Sequence, residues 1–314
     1  RLLAAEVFQH MREKYAPKGL THFGQGKWYP GEQLPRWSLN CFWREDGEPL
    51  WHNPALLADE KKDYGVTTET TGKFLRKVAE NLGLAPKHVF PVFEDVYYYL
   101  WRERTLPVNV DPFDARLKDP LERERLRKVF DKGLDAEVGH VLPIDKNAAE
   151  QWTSSDWYMR TGRCHLVPGD SPIGYRLPID SQPWVKESNY PHVLPPDPMQ
   201  PVAPLPARAH IAAQLSRRRE ASAAAHLTDA QPLASAAPAH GESADDISRL
   251  AMCAEPRDGR LYVFMPPTRS LEDYVELLVA VEGAADALAL PVILEGYEPP
   301  KDPRVTVFRV TPDP

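Results

Sequence analysis

Apolar positions recur at helical spacing in four stretches of the chain and alternate with polar ones in several shorter stretches. Over residues 2–15, LLAAEVFQHMREKY, the positions Leu3, Val7, Met11 and Tyr15 lie along one line of a helix. Over 67–82, Phe74, Leu75, Val78 and Leu82 form a second stripe, and Gly83 stands where a helix closes in the left-handed conformation. Over 119–133, Asp119 offers a cap, Pro120 suits the first helical position and Glu122 completes a capping box. Gly133 ends that helix, and Leu126, Val129 and Phe130 supply its buried face. A fourth helix starts after Ser270, with Asp273 at its third position. Its stripe runs through Leu271, Tyr274, Leu278, Val281, Ala285 and Leu288.

The alternating segments predict strands. SLNCFWRED turns at Asp46-Gly47, and EPLWHNP returns as its hairpin partner. Residues 88–112, HVFPVFEDVYYYLWRERTLPVNVDP, are aromatic and β-branched, which favours strands or a short buried helix. EVGHVLPI, WYMRTGRCHLVPG and IGYRLPID read as short β runs separated by Gly, Pro and Asp. Near the C-terminus LAMCAE and RLYVFMP flank PRDG as a hairpin, and PVILEG and RVTVFRV follow the last helix. This ββαββ order implies an antiparallel or mixed sheet with the helix on one face, an α+β arrangement.

Composition then divides the chain. Proline is abundant, 33 in all and spread throughout, whereas all eight Trp precede residue 185. Residues 191–246 open on a Pro-rich run and continue in Ala, Ser, Arg and His without aromatics. Such a segment buries too little surface to offset its ordering entropy. The expected organisation is therefore an aromatic-rich α+β module over 1–190, a disordered linker over 191–246 and a ββαββ unit over 247–314. A short helix is expected within the linker near HIAAQLSRRREASAAA.

Charge excludes some partners. A net charge of −7 and a pI near 5.8 give no basic field for nucleic acid or an anionic membrane surface. No apolar run approaches eighteen residues, so no transmembrane helix is expected. Cys41, Cys164 and Cys253 are odd in number and far apart, which fits a reducing cytoplasm better than a disulfide framework. A start at Arg1 and an end at VTPDP read as a piece of a longer protein.

Four constellations could carry chemistry. In GQGKWYPGEQLPRW, 24–37, a Gly-Gln-Gly-Lys backbone can wrap an anion, with Lys27 and Arg36 as charges and Trp28 or Trp37 as a stacking wall. The same stretch also reads as a turn-rich loop whose Trp residues fill the core. In PGDSPIGYRLPID, 168–180, Asp170, Ser171 and Arg176 can meet a carboxylate or phosphate, or Arg176 can simply pair with Asp180. Glu255 and Glu295 end apolar strands, where a carboxylate must be solvated, paired or metal-bound. Arg257, Arg260 and Arg304 are ordinary salt-bridge partners for them. Finally, Cys164 precedes His165, but neighbouring strand residues point to opposite faces, which argues against a thiol nucleophile. No C-x-x-C or H-x-x-x-H spacing suggests zinc.

GQGKWYPGEQLPRW, LWRERTLPVNVDP, GDSPIGYRLPIDSQPWV, AEPRDGRLYVFMPP and LEGYEPPKDPRVTVFRVTPDP together resemble one bacterial family, the amidoligase region of large transglutaminase-associated proteins. The resemblance spans nearly all of the chain outside about 200–245. It implies a core related to glutamine synthetase and other carboxylate–amine ligases, in which sheet carboxylates bind divalent metals and ATP phosphates. A substrate carboxylate then becomes an acyl phosphate, which an amine attacks. Carried onto this chain, the resemblance makes Glu255 and Glu295 the metal and catalytic carboxylates, with Arg257 and Arg304 as phosphate or carboxylate contacts. It implies ATP and Mg²⁺ as cofactors, a peptide or amino-acid carboxylate and an amine as substrates, and a transglutaminase-like domain in the same longer protein. Family members continue past VTPDP into a further strand with a Glu and a Gly-rich stretch, so this fragment is expected to be inactive alone. The alternative is a non-catalytic peptide-binding module serving that neighbouring domain, suggested by the density of Trp.

Overall fold

The computed structural model describes residues 2–26, 36–105, 108–109, 120–133, 135–147, 149–179, 185–186, 188, 202–227 and 237–312. In chain order the elements are α1 (Leu2–Tyr15), β1 (Leu20–Gln25), β2 (Trp37–Arg44), α2 (Thr68–Leu82), β3 (Phe90–Phe93), α3 (Val96–Arg104) and α4 (Pro120–Lys132). Then follow β4 (Glu137–Pro143), β5 (Asp145–Lys146), β6 (Trp152–Thr153), β7 (Cys164–His165) and α5 (Arg208–Leu227). The chain closes with β8 (Ala251–Arg257), β9 (Arg260–Met265), α6 (Leu271–Leu288), β10 (Val292–Gly296) and β11 (Val305–Val310).

Nine strands form one mixed sheet in the order β11-β2-β1-β10-β9-β8-β4-β3-β7, and β5 pairs with β6 apart from it. Within the sheet β1, β10 and β9 run parallel side by side, so their C-terminal ends share one edge. The expected seam is not a division of this sheet. β10 pairs with β1, β11 with β2 and β8 with β4, so strands from either side of 191–246 interleave. Composition reports only local hydrophobicity, whereas strand pairing joins residues distant in sequence, so the two need not coincide. Within the segment itself, α5 packs on α2 and α6 through buried Ile211 and Leu215.

One face of the sheet carries the main core. Leu20, Phe42, Ala254, Leu261, Val263, Met265, Val292 and Leu294 point there against α2 and α6. Thr67 and Thr70 cap α2 reciprocally, and Gly83 closes it at φ 76°. Ser270 accepts from Asp273 N–H to start α6. The other face carries two smaller clusters: one under α1, with Phe8, Leu39 and Cys41, and one around Val92, Val141, Ile173 and Cys253.

Several expectations change in detail. α1 turns Leu3, Val7 and Tyr15 outward, at 73%, 44% and 60% exposure, and buries Phe8 instead. A single helix on a sheet edge buries a narrow strip, and Phe8 takes it by stacking near Phe308. EPLWHNP is not a strand, because both edges of β2 are already taken by β1 and β11. Its backbone is held by the Glu282 carboxylate, which accepts from His52 and Asn53 N–H. IGYRLPID forms a short 3-10 helix over Ile173–Arg176 rather than a β run, since its prolines cannot donate to a ladder. Of the 88–112 stretch, Phe90–Phe93 form β3 and Val96–Arg104 form α3, while 106–107 and 110–112 lie outside the described residues. In α4, Val129 is buried as expected, while Asp119 and the side chains of Glu122, Leu126 and Phe130 lie outside the described residues.

Candidate functional site

Ligands of open sheets with parallel strands gather beyond the strands' C-terminal ends, where the preceding helices switch faces. That condition is met between β1 and β10. α1 precedes β1 and packs on one face, while α6 precedes β10 and packs on the other. The loop after β1 is the GQGKWYPGEQLPRW stretch, closed at its base by Gly26 N–H donating to Arg36 C=O at 2.5 Å.

Glu295 stands at this end, Glu255 lies nearer the N-terminal end of β9, and Arg257 joins the two along the sheet face. In the β8–β9 ladder Glu255 faces Tyr262, and in the β9–β10 ladder Glu295 faces Phe264, two residues further along the same face. Arg257, two residues beyond Glu255, also shares that face, because Asp258 and Gly259 turn the hairpin tightly behind it at φ 47° and 71°. Its guanidinium lies 3.5 Å above the Tyr262 ring centre. From there Arg257 Nε is 3.4 Å from Glu255 Oε1, and Nη2 contacts Glu295 Oε2.

Both carboxylates are buried, yet the cluster is incompletely satisfied. Among the described residues, Arg257 Nε, Arg257 Nη2 and Glu295 Oε1 are buried without a well-aligned hydrogen-bond partner. Burial pushes the Glu295 carboxyl up to about 7; the nearby Glu255 charge adds to this, and the Arg257 charge opposes it. A native buried acceptor left unpaired asks for an explanation, and a ligand is one.

The 168–180 stretch reaches this site by a route its sequence did not suggest. Ile173 N–H donates to Glu255 Oε1 at 3.3 Å. Gly174 lies flat on Phe264, where a Cβ would sit 2.2 Å from the ring. Tyr175 meets Phe264 edge-on at 4.7 Å and Tyr297 at 5.6 Å, so aromatic rings wall the Glu295 end. The residues expected to act there are engaged elsewhere. Arg176 forms a two-toothed pair with Glu94 and donates to Val167 C=O, and Asp170 accepts from Arg125 at 2.8 Å.

Arg304 is likewise committed, to Asp302, Glu272 and the Ala203 carbonyl, rather than brought to Glu255 and Glu295. Lys27 lies outside the described residues, and Arg36 stands at the base of the loop after β1. The three thiols are free and buried, and burial raises the pKa of each, Cys41 to about 11 and Cys164 to about 12. That environment makes a poor nucleophile at neutral pH.

On the opposite face of the same sheet end lies a second polar group. Ser38 donates to Asn40 at 2.5 Å, Asn40 to Glu298 at 2.8 Å, and Arg309 to Glu298 at 2.6 Å. His22 pairs in register with Asn40, and burial lowers it to about 4 against the opposing charge of Glu298. Among the described residues, neither of its ring nitrogens nor the hydroxyl of buried Tyr274 has a well-aligned hydrogen-bond partner.

Magnesium, which the sequence resemblance implies, takes oxygen ligands and commonly uses one or two carboxylates completed by phosphate oxygens and water. Glu255 and Glu295 with the orphaned Oε1 fit that pattern as a pair. Among the described residues no group of three or more His, Cys, Asp or Glu is placed to hold a metal ion by protein ligands alone. No described helix is long and apolar enough to cross a membrane.

The model of one family, described as "putative amidoligase enzyme", matches residues 1–314. Neither a curated protein nor a solved structure matches the chain.

Proposed function

The chain belongs to that amidoligase family, and from this premise we propose that it joins a carboxylate to an amine at the Glu255–Arg257–Glu295 site. The observation that carries the proposal is the orphaned, buried Oε1 of Glu295 beside a guanidinium with unaligned donors. Arg257, set between the two carboxylates with the Tyr262 ring against its guanidinium plane, supplies the positive charge that an incoming carboxylate or phosphate oxygen would meet. When bound, ATP supplies the activation by turning the substrate carboxylate into an acyl phosphate, with Glu255 and Glu295 as the residues that would hold magnesium. The amine must lose a proton as its nitrogen bonds to the carbonyl carbon and phosphate departs with its electron pair. The departing phosphate can carry that proton away, since a carboxylate that holds magnesium is not free to take it. Gly174, Tyr175 and Tyr297 crowd the Glu295 end and restrict water there.

The test is ADP release by the full-length protein with a carboxylate, an amine, both or neither. Release is expected only with both, and Glu295→Gln is expected to lower it by about 100-fold or more. Release that ignores the amine, or survives Glu295→Gln unchanged, overturns the proposal. Absence of any nucleotide-dependent thermal shift would favour a peptide-binding module instead.

A further inference from the structure

β1 and β10 share one registered pair, Phe23 with Glu295, and part from each other on the N-terminal side of it. There the 54–61 segment comes in, with Leu57 bridging to Val292 and Ala58 N–H donating to Val292 C=O at 2.9 Å. Between that segment and α1 the separation leaves a groove of about 710 Å³, a size that takes a small-molecule ligand. Its floor is apolar: Phe23, Leu57 and Ile293. Its walls are acidic on balance. Glu6 and Glu13 on α1 and Asp59 and Glu60 opposite stand against Arg12 and Lys61. Phe23 belongs both to this floor and to the register pair with Glu295, so the groove runs up to the carboxylate site.

We infer that this groove binds a primary amine carried on an apolar body, the ammonium meeting the carboxylates of α1 and the body lying on Phe23 and Ile293. An apolar floor with one excess sign of charge on its walls selects such a ligand against a carboxylate of equal size. The inference deepens the ligase proposal by giving its amine substrate a place, and it rests on that reading only for the ligand's role.

Calorimetric titration of the protein with hexylamine, hexanoate and hexanol, without nucleotide, tests it directly. Hexylamine is expected to bind saturably, with hexanoate and hexanol each at least about tenfold weaker. The exposed pair Glu6→Gln with Glu13→Gln is expected to weaken hexylamine by about five- to tenfold. Ala58→Trp, which fills the groove from its wall, is expected to abolish binding while the circular dichroism and Tm stay those of the parent. Equal binding of hexanoate or hexanol, undiminished binding by both variants, or no hexylamine binding overturns the inference. Because no nucleotide is present, such a failure leaves the ligase proposal standing, whereas lost ADP release with amine binding intact removes that proposal alone.

Discussion

Two buried ion clusters on opposite faces of one sheet can be set side by side. On the helix face, Lys146 contacts Asp273 and lies 3.2 Å from Glu276. Glu276 also accepts from Trp152 Nε1 at 2.7 Å and from Arg218 at 3.3 Å. Every charge there has an aligned partner. On the other face Arg257 serves Glu255 and Glu295, but three of the buried polar atoms have none. The first cluster sets Lys146 and Arg218 against two carboxylates and the second sets Arg257 alone against two, and hydrogen-bond satisfaction separates them further. A satisfied buried pair is a structural brace, whereas an unsatisfied one keeps a cost that a bound group can remove.

The largest effect should come from removing each cation. Lys146→Met leaves Asp273 buried without its cation, while Glu276 keeps Arg218, and is expected to cost about 3–5 kcal/mol. Arg257→Met should cost less, about 1–2 kcal/mol, because Glu295 already holds its proton easily and can stay neutral. Urea denaturation at pH 7 measures both. Equal losses would mean that the two clusters are the same kind of object and would erase the contrast.

A smaller, signed effect lies in pH. The Glu295 carboxyl titrates near 7 in the fold and near 4.5 when unfolded, so the native state holds the extra proton between those values. Stability from this group therefore falls as pH rises from about 4.5 through 7. Glu295→Gln cannot titrate. The stability of the variant minus that of the parent should thus climb with pH by up to about 3 kcal/mol. His22 and His140, both lowered to about 4 by burial, act in the opposite sense, adding stability as pH rises from about 4 to 6.5. They are common to both proteins and cancel in the difference. A flat difference curve between pH 4.5 and 7 would show that Glu295 is an ordinary paired carboxylate.

How much of this contrast the sequence could reveal depends on which residues are local to each other. Glu255 and Arg257 share a face two positions apart, and period two alone puts them together. Glu295 enters only because β9 lies between β8 and β10, a pairing that no local pattern encodes. The helices, by contrast, carry their signals within themselves: α1 spans 2–15 as the periodicity predicts, and α2 ends at Gly83. Yet the apolar line Leu3–Val7–Tyr15 on α1 faces outward, since periodicity finds a stripe without naming what covers it. The aromatic wall from Ile173–Arg176 was equally hidden. The charged residues of the 168–180 stretch, Arg176 and Asp170, are bound to Glu94 and Arg125, while a backbone N–H, a glycine and a tyrosine reach the site. A Gly-Tyr pair between prolines fits a loop pressed on a ring, but the ring it meets is ninety residues away.

The finest test concerns the aromatic platforms. Each cation has one: Lys146 lies 4.9 Å from the Trp152 ring centre, and Arg257 lies 3.5 Å from that of Tyr262. Trp152 is also a hydrogen-bond donor to Glu276, so Trp152→Leu removes a brace as well as a ring face. For Tyr262→Leu only the ring face is lost. The expected cost is about 0.5–1 kcal/mol of stability, the scale of a partly exposed cation–π contact. The guanidinium then loses the surface that keeps it extended toward Glu295, so the opposing charge on that carboxyl weakens. Its pKa should rise further, moving the midpoint of the difference curve upward. A stability loss with an unmoved midpoint would mean that Tyr262 fills space and that Arg257 is positioned by its two carboxylates alone.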